Sequence, residues 1–127
     1  MAATVTAGIT DKAILDAFEE RRREFAANYH LMDMTKEQED AYFGRIDEHE
    51  AVICETPAVT IAGIVAKLRI DFMHRAGAAW SDHAIIDPTV PAFIDGLAEA
   101  DQFTQLAWAA VEDLARIGGI HLSKEGR

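Results

Sequence analysis

The chain has 127 residues, half of them apolar, and a formal net charge of −10 from 22 acids against 12 Lys and Arg. That length suits one hydrophobic core and falls short of two ordinary domains, and the apolar half argues against disorder despite the charge. The longest uncharged run, Thr56 to Ala66, is too short to cross a bilayer, and no basic region followed by an apolar signal core opens the chain.

A single cysteine, Cys54, excludes an intrachain disulfide and any zinc site built on several thiolates. These features suit a cytoplasmic protein without a membrane segment. The charge is uneven: residues 1–60 carry 13 acids against 6 Lys and Arg, and residues 61–127 carry 9 against 6. A field of that sign opposes contact with nucleic-acid backbones and favours solubility.

Residues 1–9 have no periodic pattern and read as a loose arm. Thr10 is the expected N-cap of a first helix over 11–29, with Asp11 adding negative charge to its first turn. Ile14, Phe18, Phe25 and Tyr29 share one face, with Leu15 and Arg22 beside it. The Arg21-Arg22-Arg23 triplet is interleaved with Glu19, Glu20 and Glu24, so it reads as a solvated face with one Arg stem over the core.

Thr35 and Gln38 have the spacing of a capping box, which opens a second helix over 36–54. Tyr42, Ile46, His49 and Ile53 form its stripe, widened by Phe43 and Val52. A short connection makes helices one and two a hairpin. Cys54, at the end of the second helix, reads as a small buried apolar residue.

Pro57 fits a brief turn before Thr60, the expected N-cap of a third helix over 60–75. Ile61, Ile64, Val65, Leu68 and Phe72 repeat at helical spacing. Gly63 weakens this helix by about 1 kcal/mol relative to Ala, which points to a close helix crossing. Gly77 stops the helix, and Asp87-Pro88 and Pro91 are turn and helix-start signals. Trp80, between them, reads as a lid over the bundle.

A fourth helix is expected over 91–117, stopped by Gly118-Gly119. Phe93, Leu97, Ala100, Ala107, Val111 and Leu114 trace its apolar face, with Leu106, Ala110 and Ile117 alongside, and Gly96 is a candidate bend. The expected fold is therefore all-α: four main helices in a compact bundle, one domain over 1–127, with flexible ends at 1–9 and 120–127.

The stretch Glu55-Thr-Pro-Ala-Val-Thr-Ile-Ala-Gly-Ile-Val-Ala-Lys-Leu-Arg69 resembles a pattern in small, uncharacterised helical proteins of alphaproteobacteria and their prophages. The match covers roughly residues 45 to 70. It implies a helical fold and a mobile-element setting, and supplies no catalytic residue.

Chemical motifs are sparse. Ser81, Asp82 and His83 have the residue types of a hydrolase triad, but adjacency does not create its geometry and no nucleophile-elbow turn accompanies them. Asp71 and His74 form the one carboxylate-x-x-His pair, where a dimetal bundle needs two Glu-x-x-His pairs and two further Glu. No phosphate-binding glycine motif is present. No catalytic residue, cofactor or metal is expected.

The preferred function is a non-enzymatic protein-interaction or structural accessory module in a prophage setting, with Trp80, Phe103 and Trp108 as candidate anchors. Its partner would be another protein, or a second copy in an antiparallel homodimer if one stripe, especially on helix four, stays uncovered. One alternative is a helix-turn-helix over 46–69 that contacts DNA through Lys67, Arg69 and Arg75, although the acidic charge disfavours nucleic acid. The other is an acidic inhibitor that mimics DNA.

Overall fold

A computed structural model of the chain describes residues 10–28 and 34–123. The arm expected at 1–9, Tyr29 of the first stripe, most of the first connection and the last residues of the expected tail lie outside them. Every regular element among the described residues is helical: α1 (Lys12–Asn28), α2 (Lys36–Glu55), α3 (Ile61–Ala76), a 3₁₀ turn (Ala79–Asp82), α4 (His83–Ile86), α5 (Pro91–Glu99) and α6 (Gln102–Gly118). The all-α expectation holds, while its count of four does not. The chain divides between Gly63 and Ile64 into two compact units.

In the first unit α1 and α2 form the expected hairpin. Arg21 Nε donates to Glu50 at 2.6 Å and Arg45 Nε to Glu24 at 2.7 Å. Partners that rise in number along one helix fall along the other, which makes the pair antiparallel. Ile14, Ala17, Phe18, Tyr42, Ile46 and Ile53 are its buried apolar residues, whereas Phe43, Val52 and Cys54 are exposed. The buried stripe is thus narrower than the spacing predicts, and Cys54 is not a core residue.

Arg21 is the arginine that enters the core. It is buried, and its guanidinium carbon lies 5.6 Å from the centre of the Phe25 ring, within cation–π range. Arg22 pairs with Glu19, and Arg23 with Glu19 and Glu20, on the same helix.

Local punctuation is where the spacing predicts it. Thr35 accepts from the Gln38 backbone N–H, and the Gln38 side chain accepts from the Thr35 N–H, closing the capping box. Thr60 Oγ1 accepts from Gly63 N–H at 3.1 Å, as an N-cap does. Gly77 follows α3 with φ of 62°, and Gly119 follows α6 with φ of 68°. Glycine reaches both left-handed positions without Cβ strain. Ile120 N–H reaches back to Ala115 O at 2.7 Å, the long bond of a Schellman motif.

The start of α1 differs. Leu15 N–H donates to the carbonyl of Asp11, not Thr10, so Asp11 holds the cap position. Its buried carboxylate accepts from Val59 N–H, Thr60 N–H and the Thr60 hydroxyl. It therefore supplies negative charge to the N-terminal end of α3 from 48 residues away in sequence. This also explains Gly63: a Cβ there would overlap the Asp11 carboxylate. The close approach is by a side chain, not by a second helix.

The second unit is built around rings. Phe72 and Phe93 each lie 4.9 Å from Trp108, and Trp80 lies 5.5 Å from Phe93. The tilted and edge-on arrangements are those aromatic quadrupoles favour. Val65, Ala66, Met73, Ala84, Ile85, Val111 and Ala115 complete the buried apolar set. Arg69 is buried too. Its Nε donates to Ala84 O at 2.7 Å and its Nη2 to Leu122 O at 2.9 Å, which joins α3 to α4 and to the segment expected as a tail.

The helix predicted over 91–117 is two helices. Ala100 caps α5 in an extended conformation, and Asp101 caps α6 by accepting from Thr104 N–H at 2.8 Å. Gln105 Nε2 reaches the Leu97, Ala98 and Ala100 carbonyls and satisfies the open end of α5. Gly96 does not make this break. It lies inside α5, where a Cβ would overlap the indole of Trp80.

Candidate functional site

Dividing the last helix changes which residues α6 buries. Thr104, Trp108, Val111 and Ala115 repeat at spacings of 4, 3 and 4, and the last three are buried. Phe103, Leu106, Ala107, Ala110, Leu114 and Ile117 fall on the adjacent face, within a sector of about 100° at 3.6 residues per turn. Most of that second face is open: Phe103 is 76 % exposed, Leu106 63 % and Ile117 70 %, while Leu114 is half-buried. Single exposed apolar residues are ordinary, but a row on one helix forms a continuous patch.

The patch borders a cleft of about 360 Å³ in the second unit. Leu68, Phe72 and Ala76 of α3 form one wall, and Phe103, Ala107 and Val111 of α6 form the other. Asp71, Arg75, Asp101 and Thr104 supply its polar lining. Three of these groups are already engaged. Arg75 Nε lies 2.9 and 2.8 Å from the two Asp71 carboxylate oxygens, and Asp101 caps α6. The Thr104 N–H holds the Asp101 carboxyl below the ordinary aspartate range. The remaining chemistry of the cleft is shape and apolar contact.

The three candidate anchors separate. Trp108 is 1 % exposed and belongs to the core, so its ring is not available as an anchor. Trp80 is half-buried against Phe93 and the bare backbone of Gly96. Phe103 alone among them is mostly exposed, at the rim of the cleft. Leu106 and Ile117, which the spacing places beside the core face, join it.

The candidate nucleic-acid residues separate as well. Arg69 is 7 % exposed with its guanidinium bonded to main-chain carbonyls, so it cannot meet a phosphate without breaking those bonds. Arg75 is exposed but shared with Asp71, and Lys67 is half-buried.

The apparent triad is a structural link. Ser81 is fully buried, with Oγ 2.7 Å from Ala78 O and 3.2 Å from Met73 O, and it accepts from Ala78 N–H. Among the described residues no group of three or more His, Cys, Asp or Glu could hold a metal ion, and no helix is long and apolar enough to cross a membrane. Comparison with protein-family models, curated proteins and solved structures finds no match for this chain.

Proposed function

We propose that the chain is a non-enzymatic protein-interaction or structural accessory module whose contact surface is the open apolar face of α6. The observation that carries this reading is the pairing of faces on one helix. Trp108, Val111 and Ala115 anchor α6 in the core, and Phe103, Leu106 and Ile117 stand beside them in solvent. A helix held rigidly by one face presents the other in a fixed geometry. Binding then orders few new side chains, which lowers its entropic cost.

Phe103 is the proposed anchor, since a large exposed ring beside an apolar cleft supplies much contact area at a modest loss of freedom. The cytoplasm is the proposed setting, where the exposed Cys54 thiol stays reduced. The resemblance of residues 55–69 to a prophage-protein pattern is the support for a partner among products of the same mobile element, with a second copy as the other proposed partner.

A photoreactive phenylalanine analogue at position 103, irradiated in cells, tests the reading. A covalent adduct at defined mass is expected, and the same analogue at Glu112, on another face of α6, should give none. Absence of any adduct from position 103 would refute the module.

A further inference from the structure

We infer that the cleft between α3 and α6 is a binding site for a small organic ammonium ion, an amine with a one-ring or short-chain apolar body. The inference goes beyond the interaction reading and does not rest on it. Phe72 and Val111, both buried, line the cleft on either side, and Phe103 stands exposed at its rim. At about 360 Å³ it lies near the small end of ligand pockets, which run from about 300 to 1,000 Å³. That volume suits a one-ring body.

Charge selects the head group. Asp71 and Asp101 against Arg75 leave the lining one negative charge in excess. The two features that attract an anion are already taken by carboxylates of the chain itself. Asp71 holds Arg75, with both its oxygens within 2.9 Å of Nε, and Asp101 occupies the N-terminal end of α6. Asp101 is hydrogen-bonded but not neutralised. Its partner at 2.8 Å is the uncharged Thr104 N–H, and it has no ion pair among the described residues. The same contact keeps its carboxyl below the ordinary aspartate range, so the group is ionised at neutral pH.

An ammonium group is the complement of that lining. Two residues from Asp101, the exposed Phe103 ring adds the cation–π attraction that aromatic side chains give organic ammonium ions. The net charge of −10 on the chain acts in the same direction, drawing cations and repelling anions. A neutral molecule of the same shape meets the apolar walls but gains nothing from Asp101.

Amide NMR shifts of the full chain, titrated at neutral pH with phenethylamine, 2-phenylethanol and phenylacetate, test this. The probes share a ring and differ in charge. Saturable shifts are expected within residues 68–76 and 101–111, with the amine bound about fivefold tighter than the alcohol and the acetate bound weakest. Asp101→Asn keeps the cap acceptor and should reduce the preference for the amine to within about twofold. Ala107→Phe should fill the cleft and weaken all three with the helical spectrum intact. No saturable shift in the cleft with the amine would overturn the inference. So would equal affinity for the three probes in the parent chain, or a preference that survives Asp101→Asn. Amine binding in a chain that gives no photoadduct from position 103 upholds this site without the module; a photoadduct with no amine binding does the reverse.

Discussion

Asp11 and Gly63 depend on each other. The carboxylate sits where a Cβ at position 63 would be, and it satisfies two backbone N–H groups and a hydroxyl at the entry to α3. Asp11→Ala should cost about 1–3 kcal/mol through donors left without an acceptor, and Gly63→Ala about 1–3 kcal/mol through overpacking. With the carboxylate gone, alanine at 63 has space and favours the helix by about 1 kcal/mol, so the double variant should be more stable than the sum of the singles. Urea unfolding of the four proteins measures the cycle, and additive costs would contradict the contact. Gly96 and Trp80 stand in a similar relation. Gly96→Ala should displace the indole and alter tryptophan fluorescence, and Trp80→Ala should lower stability by about 2–3 kcal/mol, the lower end for a ring only half-buried.

At the scale of elements, the junction of α5 and α6 is held by Asp101 and Gln105. The Asp101 pKa is lowered by the Thr104 N–H, so its charged form is favoured in the folded state. Its contribution is therefore present above the ordinary aspartate pKa of about 4 and is lost as pH falls through the lower folded value. Asp101→Asn keeps an N-cap acceptor but removes the titration. The variant should show a flatter fall of urea midpoint with acid than the parent, and identical slopes would rule out the cap as a source. The Arg45–Glu24 pair raises the Arg45 pKa through its hydrogen bond, but Arg45 is exposed and always charged near neutrality, so no pH effect is expected from it.

At the scale of the whole molecule, the charge of −10 distinguishes partners. The open apolar residues of α6 carry no charge, so a complex formed through them is not chosen by charge. Raising ionic strength from low to physiological should leave a complex formed through that face intact or tighten it. A complex chosen by basic charge on the partner would weaken under the same change. Sedimentation of the complex at two salt concentrations gives the sign, and weakening by salt would argue against an apolar contact.

Helical content and most helix ends are legible in the chain because their causes lie within four or five residues. Thr35 with Gln38, Thr60 with Gly63, and the glycines at 77 and 119 each act on their own turn. The division at Ala100–Asp101 is equally local: an Asp with Thr104 three residues on is an N-cap signal, hidden here by apolar residues that continue on both sides. Periodicity does not choose between two apolar faces of one helix. In α3 it selects Ile61, Ile64, Val65, Leu68 and Phe72; Val65 and Phe72 are buried, together with Ala66, Arg69 and Met73, while Ile61, Ile64 and Leu68 are not. In α6 it cannot say that Trp108 is covered and Phe103 open. The reach of Asp11 to Thr60, the indole over Gly96 and the burial of Arg69 join residues distant in sequence. Only the tertiary structure decides them, because their free energy exists only once the chain has brought both partners together.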